Sequence, residues 1–144
     1  MSYDIKWIES DDELNELEKK HAPVITTPDT MDTGDSYEVK VEVGILPHVM
    51  EGEHYIEWIE LWLADRKIGR VDLGPSAEKA EAVFTVKPTK DIIAAKEYEM
   101  CNIRGVNVCA ESLDSVLTHL RAIESCNVHG VWGSHKKIEI KEQK

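Results

Sequence analysis

Apolar and polar positions alternate strictly over residues 37–43, the period of a strand with one buried and one solvated face. Residues 55–63 form a longer and more apolar run, which predicts a more buried strand. Residues 68–73, 80–86, 92–100, 117–125 and 137–141 complete the predicted strands. Turn residues separate them: Gly44, Pro47, Gly52, Gly74 with Pro75, and Pro88. Residues 8–20 have a different character. Ser10 and Asp11 can cap a short helix there, acids fill its first turn, and Leu14 and Leu17 give it a thin apolar stripe. Pro23 ends it, because proline disfavours helix at the residue before it. Many short strands punctuated at this spacing predict an all-β fold, an immunoglobulin-like β-sandwich with a short N-terminal helix.

Residues 101–116 break the rhythm. Within them Cys101, Asn102, Arg104 and Gly105 echo Cys126, Asn127, His129 and Gly130. Two copies of so short a motif are too few for a repeat architecture. The segment reads as an inserted loop carrying a degenerate copy, inside one domain spanning residues 1–144.

Length and charge narrow the partners. A chain of 144 residues can bury a real core without disulfide support. No apolar run approaches the roughly 20 residues of a membrane helix. Met1 to Ser10 lacks the basic and apolar regions of a secretory signal, so a cytoplasmic location is expected. The formal net charge of -11 disfavours nucleic acid. An anionic substrate would need a local positive patch to overcome that field. The three cysteines, Cys101, Cys109 and Cys126, suit metal ligation or burial better than a disulfide scaffold.

The candidate chemistry lies in the histidines. His21 precedes Ala22 and Pro23, His48 follows Pro47, His54 lies six residues further on, and His129 lies three residues after Cys126. Loops at one end of a sandwich converge, so these four and Cys126 can meet. His119, inside a predicted strand, is expected at the surface or in packing, and His135 in an exposed turn. Each piece alone is weak; a Cys-x-x-His pair or a histidine in a turn is usually incidental. Jointly, four imidazoles and a thiolate exceed the four ligands of a structural zinc site. They suit one mononuclear iron with a position left open, and the thiolate would push electron density onto the metal. The rival readings are a non-catalytic iron-binding or electron-transfer module, and a plain interaction domain with incidental histidines.

Four pieces of the chain carry a family resemblance: residues 20–25 (Lys20, His21 and Pro23 among them), residues 43–48 ending in Pro47 and His48, residues 53–59 containing His54, and residues 126–132. The last, Cys-Asn-x-His-Gly-x-Trp, is the most specific. In these the sequence resembles the superoxide reductases of the neelaredoxin type, which are related to the desulfoferrodoxins and hold a single iron centre. The resemblance implies His21, His48, His54 and His129 as equatorial ligands and Cys126 as the axial thiolate. It implies that Lys20 attracts superoxide, which is reduced to hydrogen peroxide. It also implies rubredoxin as electron donor and a homo-oligomer, a tetramer. The second, four-cysteine iron domain of the longer desulfoferrodoxins is expected to be absent, since no cysteine precedes Cys101. Two departures stand out. Family members often carry, directly before the lysine, a glutamate that closes the sixth iron position; here that residue is Lys19, and the nearest acid, Glu18, is the candidate site residue to replace it. A protonated lysine cannot ligate, so an open or water-bound oxidised site is expected. The second departure is the segment with Cys101 and Cys109, neither expected to ligate the iron.

Overall fold

The computed structural model describes residues 5–8, 14–45, 48, 50–93 and 115–142. In chain order the named elements are β1 (Ile5–Ile8), α1 (Glu16–His21), β2 (Pro23–Thr26), β3 (Thr30–Asp32), β4 (Tyr37–Val43), β5 (Ile56–Leu63), β6 (Arg66–Asp72), β7 (Glu81–Val86), β8 (Ser115–Cys126) and β9 (Gly130–Lys141). They form two sheets. The larger runs β1-β9-β8-β5-β6, and β3 also pairs with β9; the smaller is β2-β4-β7. β1 and β3 both run parallel to β9, at its two ends, while the other pairs are antiparallel. The expected all-β sandwich is therefore what the chain forms.

The core lies between the sheets. β4 contributes Val39, Val41 and Val43, and β7 contributes Ala82, Phe84 and Val86. Facing them are Ile59, Leu61 and Leu63 of β5, Leu120 and Ala122 of β8, and Ile138 and Ile140 of β9. These sit at alternate positions, as the two-residue period of a strand requires. Each buried aliphatic side chain is worth roughly 1.5–3 kcal/mol. The outer face of β5 is covered as well: the Arg70 guanidinium lies over Trp58, 4.6 Å from its ring centroid.

Several expectations change. The helix does not span residues 8–20, and Ser10 and Asp11 are not its caps. Ile8 ends a strand, and the helix begins at Glu16 behind Asn15. The Asn15 Oδ1 accepts from the Glu18 amide at 2.8 Å, and Glu18 Oε1 accepts from the Asn15 amide at 3.2 Å. This capping box satisfies two backbone donors at once and so sets the start of the helix. Leu17 stays exposed, whereas Leu14 packs against Ile8, Ala22 and Trp132. The last strand begins at Gly130 rather than residue 137. Its polar stretch is paired along β8, with His135 opposite Arg121, so His135 is an exposed strand residue and not part of a turn. Residues 90–93 are helical, so a strand does not start at residue 92. The remainder of that expected strand lies outside the described residues, as do Cys101, Cys109 and all but the last two residues of the 101–116 segment.

Candidate metal centre

Three chain segments carry the site to one end of the sandwich. The first is α1, whose last residue is His21. The His21 Nδ1 lies 2.7 Å from the carbonyl of Leu17, one turn back. A carbonyl only accepts, so Nδ1 carries the proton and Nε2 presents its lone pair. The His21 ring also stacks on Trp132, with centroids 5.0 Å apart and an interplanar angle of 22°. The helix can approach only because residue 44 is glycine. A Cβ there would stand 2.5 Å from the Lys19 carbonyl oxygen and 2.6 Å from that of Lys20.

The second segment is the connection from β4 to β5, which carries His48 and His54. The third is the β8–β9 turn, with Cys126 at the strand end, His129 in the turn and Gly130 at φ +89°. Asn127 ties these two together. Its Oδ1 accepts from the Tyr55 amide at 2.9 Å, and its Nδ2 donates to the Glu53 carbonyl at 3.1 Å. The Trp132 indole donates to the His129 carbonyl at 3.2 Å, and Lys6 Nζ donates to the same oxygen at 2.9 Å. Lys6 also lies over the Trp132 ring, 4.8 Å from its centroid.

All five expected residues meet. One ligand atom from each of His21, His54, Cys126 and His129 lies within 4.8 Å of every other. His48 joins them: its Nε2 is 3.1 Å from His21 Nε2 and 3.5 Å from the Cys126 sulfur. The His129 Nδ1 is 3.8 Å from the same sulfur. His54 Nε2 is buried with no hydrogen-bond partner. Leaving a buried polar nitrogen unsatisfied costs about 1–3 kcal/mol. A shared cation removes that cost for the whole set, so the donors fit a metal.

The electrostatics agree. Burial lowers the His21 pKa to about 4, against the smaller opposing effect of the Leu17 carbonyl, with further lowering by the other three imidazoles. Burial also lowers His129, with His54 and Lys6 adding to the effect. Both are therefore neutral near pH 7 and available as ligands. Burial pushes the Cys126 thiol up, partly offset by the amides of Val128 and His129. A metal binding there must displace the thiol proton. Glu124, two residues before Cys126 on the same face of β8, is fully buried with neither oxygen partnered. Burial raises its pKa to about 9, so it is a neutral carboxylic acid beneath the site.

A cavity of about 570 Å³ opens over the cluster, lined by the four imidazoles and, from the α1 side, by Asn15, Glu16, Leu17 and Lys20. Lys20 is thus among the residues that line the cavity. Glu18 does not line the cavity; its side chain is engaged in the capping box. The acid that lines it is Glu16, 3.2 Å from Lys20 Nζ. Glu16, Lys6, Asn127 and Glu124 were not singled out by sequence reasoning. Only Asn127 left a signal there, inside the Cys-Asn-x-His motif.

A β-sandwich that gathers four imidazoles and one thiol under an open cavity defines a mononuclear non-haem metal protein. The chain belongs to the desulfoferrodoxin family, whose family model matches residues 13–109. Cys126 and His129 lie beyond that stretch. A relative from Methanocaldococcus jannaschii, provisionally named a superoxide reductase, is 36% identical over 126 residues, 88% of each chain. A desulfoferrodoxin from Desulfarculus baarsii is 42% identical over 96 residues, covering 67% of this chain and 66% of its own. Among solved structures, the superoxide reductase (neelaredoxin) from Ignicoccus hospitalis superposes with a TM-score of 0.66 at 26% identity, over 95% of each chain. No helix among the described residues is long and apolar enough to cross a membrane.

Proposed function

We propose that this chain is a superoxide reductase, carrying out the one-electron reduction of superoxide to hydrogen peroxide at a mononuclear iron. One observation carries the reading: four imidazoles and one thiol share a buried point beneath a cavity that a lysine faces. His21, His48, His54, His129 and Cys126 would hold the iron, which supplies the electron and an open coordination position when bound. A closed tetrahedral zinc site would leave one of these five donors over.

The chain's own groups prepare that position. The Leu17 carbonyl fixes the His21 tautomer, and Trp132 holds the ring plane. Asn127 holds the His54 loop against the Cys126 turn. Lys20 Nζ places a positive charge at the cavity and draws in an anion against the net negative charge of the molecule. Glu18 is tied to the helix cap and Glu16 is paired with Lys20, which supports the expectation that no carboxylate closes the oxidised site.

We also propose rubredoxin as donor and a homo-oligomer of tetrameric form, both implied by the family resemblance, and a cytoplasmic location. We extend the reading to one domain over residues 1–144, with Cys101 and Cys109 outside the ligand set. The test is direct. Iron-loaded protein should contain one iron per chain, show a thiolate-to-iron charge-transfer band when oxidised, and yield hydrogen peroxide without oxygen as superoxide is consumed. A protein that takes up zinc and cannot be loaded with iron would overturn the reading and favour a structural role.

A further inference from the structure

The pairing at the cavity mouth has a consequence for how anions enter, given that the cluster holds iron. Lys20 is the one lysine or arginine among the described residues that lines the cavity, and its ammonium is not free. Glu16, one helical turn earlier and lining the same cavity, holds it at 3.2 Å. Glutamate four residues before lysine is the favourable order for such a pair on a helix. Both side chains keep contact with water, 43% exposed for Lys20 and 76% for Glu16, so the pair can open readily. Lys19 does not line the cavity, and Glu18 is tied to Asn15.

The geometry points to Glu16 as a positioning residue that sets anion specificity through Lys20. Paired, the carboxylate masks the lysine charge, so an anion that interacts with Lys20 alone gains little over Glu16. An anion that also binds at the histidine and cysteine cluster has a second source of affinity and displaces the carboxylate. Glu16 thereby filters ambient anions such as chloride and phosphate from a charged cavity, and restrains the entry of the substrate by a small factor.

The sign of the effect makes this testable, because removing Glu16 accelerates entry. Azide is the probe, mixed rapidly with the iron-loaded oxidised protein at low and high ionic strength. Glu16→Gln should raise the azide association rate roughly two- to fivefold at low salt, the scale of one exposed ion pair, and less at high salt. It should also make chloride a stronger competitor. Lys20→Gln should slow azide, and in that background Glu16→Gln should have little further effect. The melting temperature of the metal-free protein reports a merely structural role, and Glu16→Gln should barely move it. An unchanged or slower azide rate in Glu16→Gln overturns the proposal. So does an increase of equal size when Lys20 is already absent, which would mean simple repulsion. Protein that binds azide but does not consume superoxide would sink the proposed activity, while the azide rates would still decide the role of Glu16.

Discussion

Two regions of this molecule bring imidazoles together at nearly the same spacing. At the end of the sandwich, His21 lies with its ring centroid 4.7 Å from that of His48 and 4.9 Å from that of His129. On the outer face of the large sheet, His119 of β8 and His135 of β9 lie 5.2 Å apart. Each region also holds a buried glutamate. Glu124, near the cluster, has no partner at either oxygen. Glu60, on the outer face, receives the Trp62 indole at 3.1 Å and pairs with Lys67 at 3.4 Å and Arg70 at 3.5 Å. Proximity of histidines therefore does not distinguish a site from a surface. What does is burial with unspent lone pairs: His21 and His48 are buried and His54 Nε2 has no partner, whereas His119 and His135 are exposed. His119 has Lys137 and Arg121 beside it, whose charges join burial and His135 in lowering its pKa. The outer face is satisfied by itself, and the cluster is satisfied only by something added.

The largest expected difference is in metal affinity. Cys126→Ser or His54→Ala should weaken iron binding by more than the 10–100-fold typical of losing a supporting partner around a metal. The Ser variant should also lose the charge-transfer colour. His119→Ala with His135→Ala should leave binding within about twofold. Metal titration with a competing chelator checks both, and a large loss in the surface variant would erase the distinction between the regions.

The two glutamates should respond with opposite signs. Folded Glu124 keeps its proton to about pH 9, whereas the unfolded chain releases it near 4.5. The folded state thus binds more protons between these values, and its contribution to stability falls as pH rises. Glu124→Gln should therefore stabilise the metal-free protein at pH 8, on the order of a few kcal/mol, and flatten the alkaline slope. Glu60→Gln should destabilise it, because Lys67 and Arg70 lose their shared acid. Denaturant melts of each variant at pH 5 and pH 8 measure both effects.

On the acid side the cluster should dominate. His21 titrates near 4 when folded and near 6.5 when unfolded. Here the unfolded chain binds more protons, so stability is lost as pH falls through this window, by about 2 kcal/mol at pH 5. His21→Gln should remove that slope in the metal-free protein, and His135→Gln should leave it in place. A smaller effect separates two glycines. Gly44→Ala forces the backbone of Lys19 and Lys20 away and should cost about 1–2 kcal/mol. Gly52→Ala meets nothing within 4 Å and should be near neutral. Thermal melts of the metal-free variants compare the two.

Local pattern determined much of this protein. The strict alternation at residues 37–43 matches β4, and the apolar run at residues 55–63 matches β5 to within a residue. Both signals are strong because a two-sided sandwich imposes a two-residue period on every strand that faces its core. Cys126 and His129 were readable as a pair because one tight turn holds both. The edge elements were not readable. β1, β2 and β3 are three or four residues long and pair with β9 or β4. Their stability lies in a partner strand distant in sequence, so their own residues carry no period to detect. The start of α1 was missed because Asn15 and Glu18 cap each other locally, which outweighs the acids and serine upstream.

Sequence alone established the residue types and chemistry of the cluster, since four imidazoles and a thiol define a donor set wherever they meet. Tertiary structure decided which acid faces the cavity: Glu16 lines it, while Glu18 turns back to Asn15. It also decided that Glu124 is buried without a partner and Glu60 with three. A carboxylate looks the same in a sequence whether water, an ammonium or a hydrocarbon core surrounds it. Its charge state and role are set by what the fold brings within a few ångströms of it.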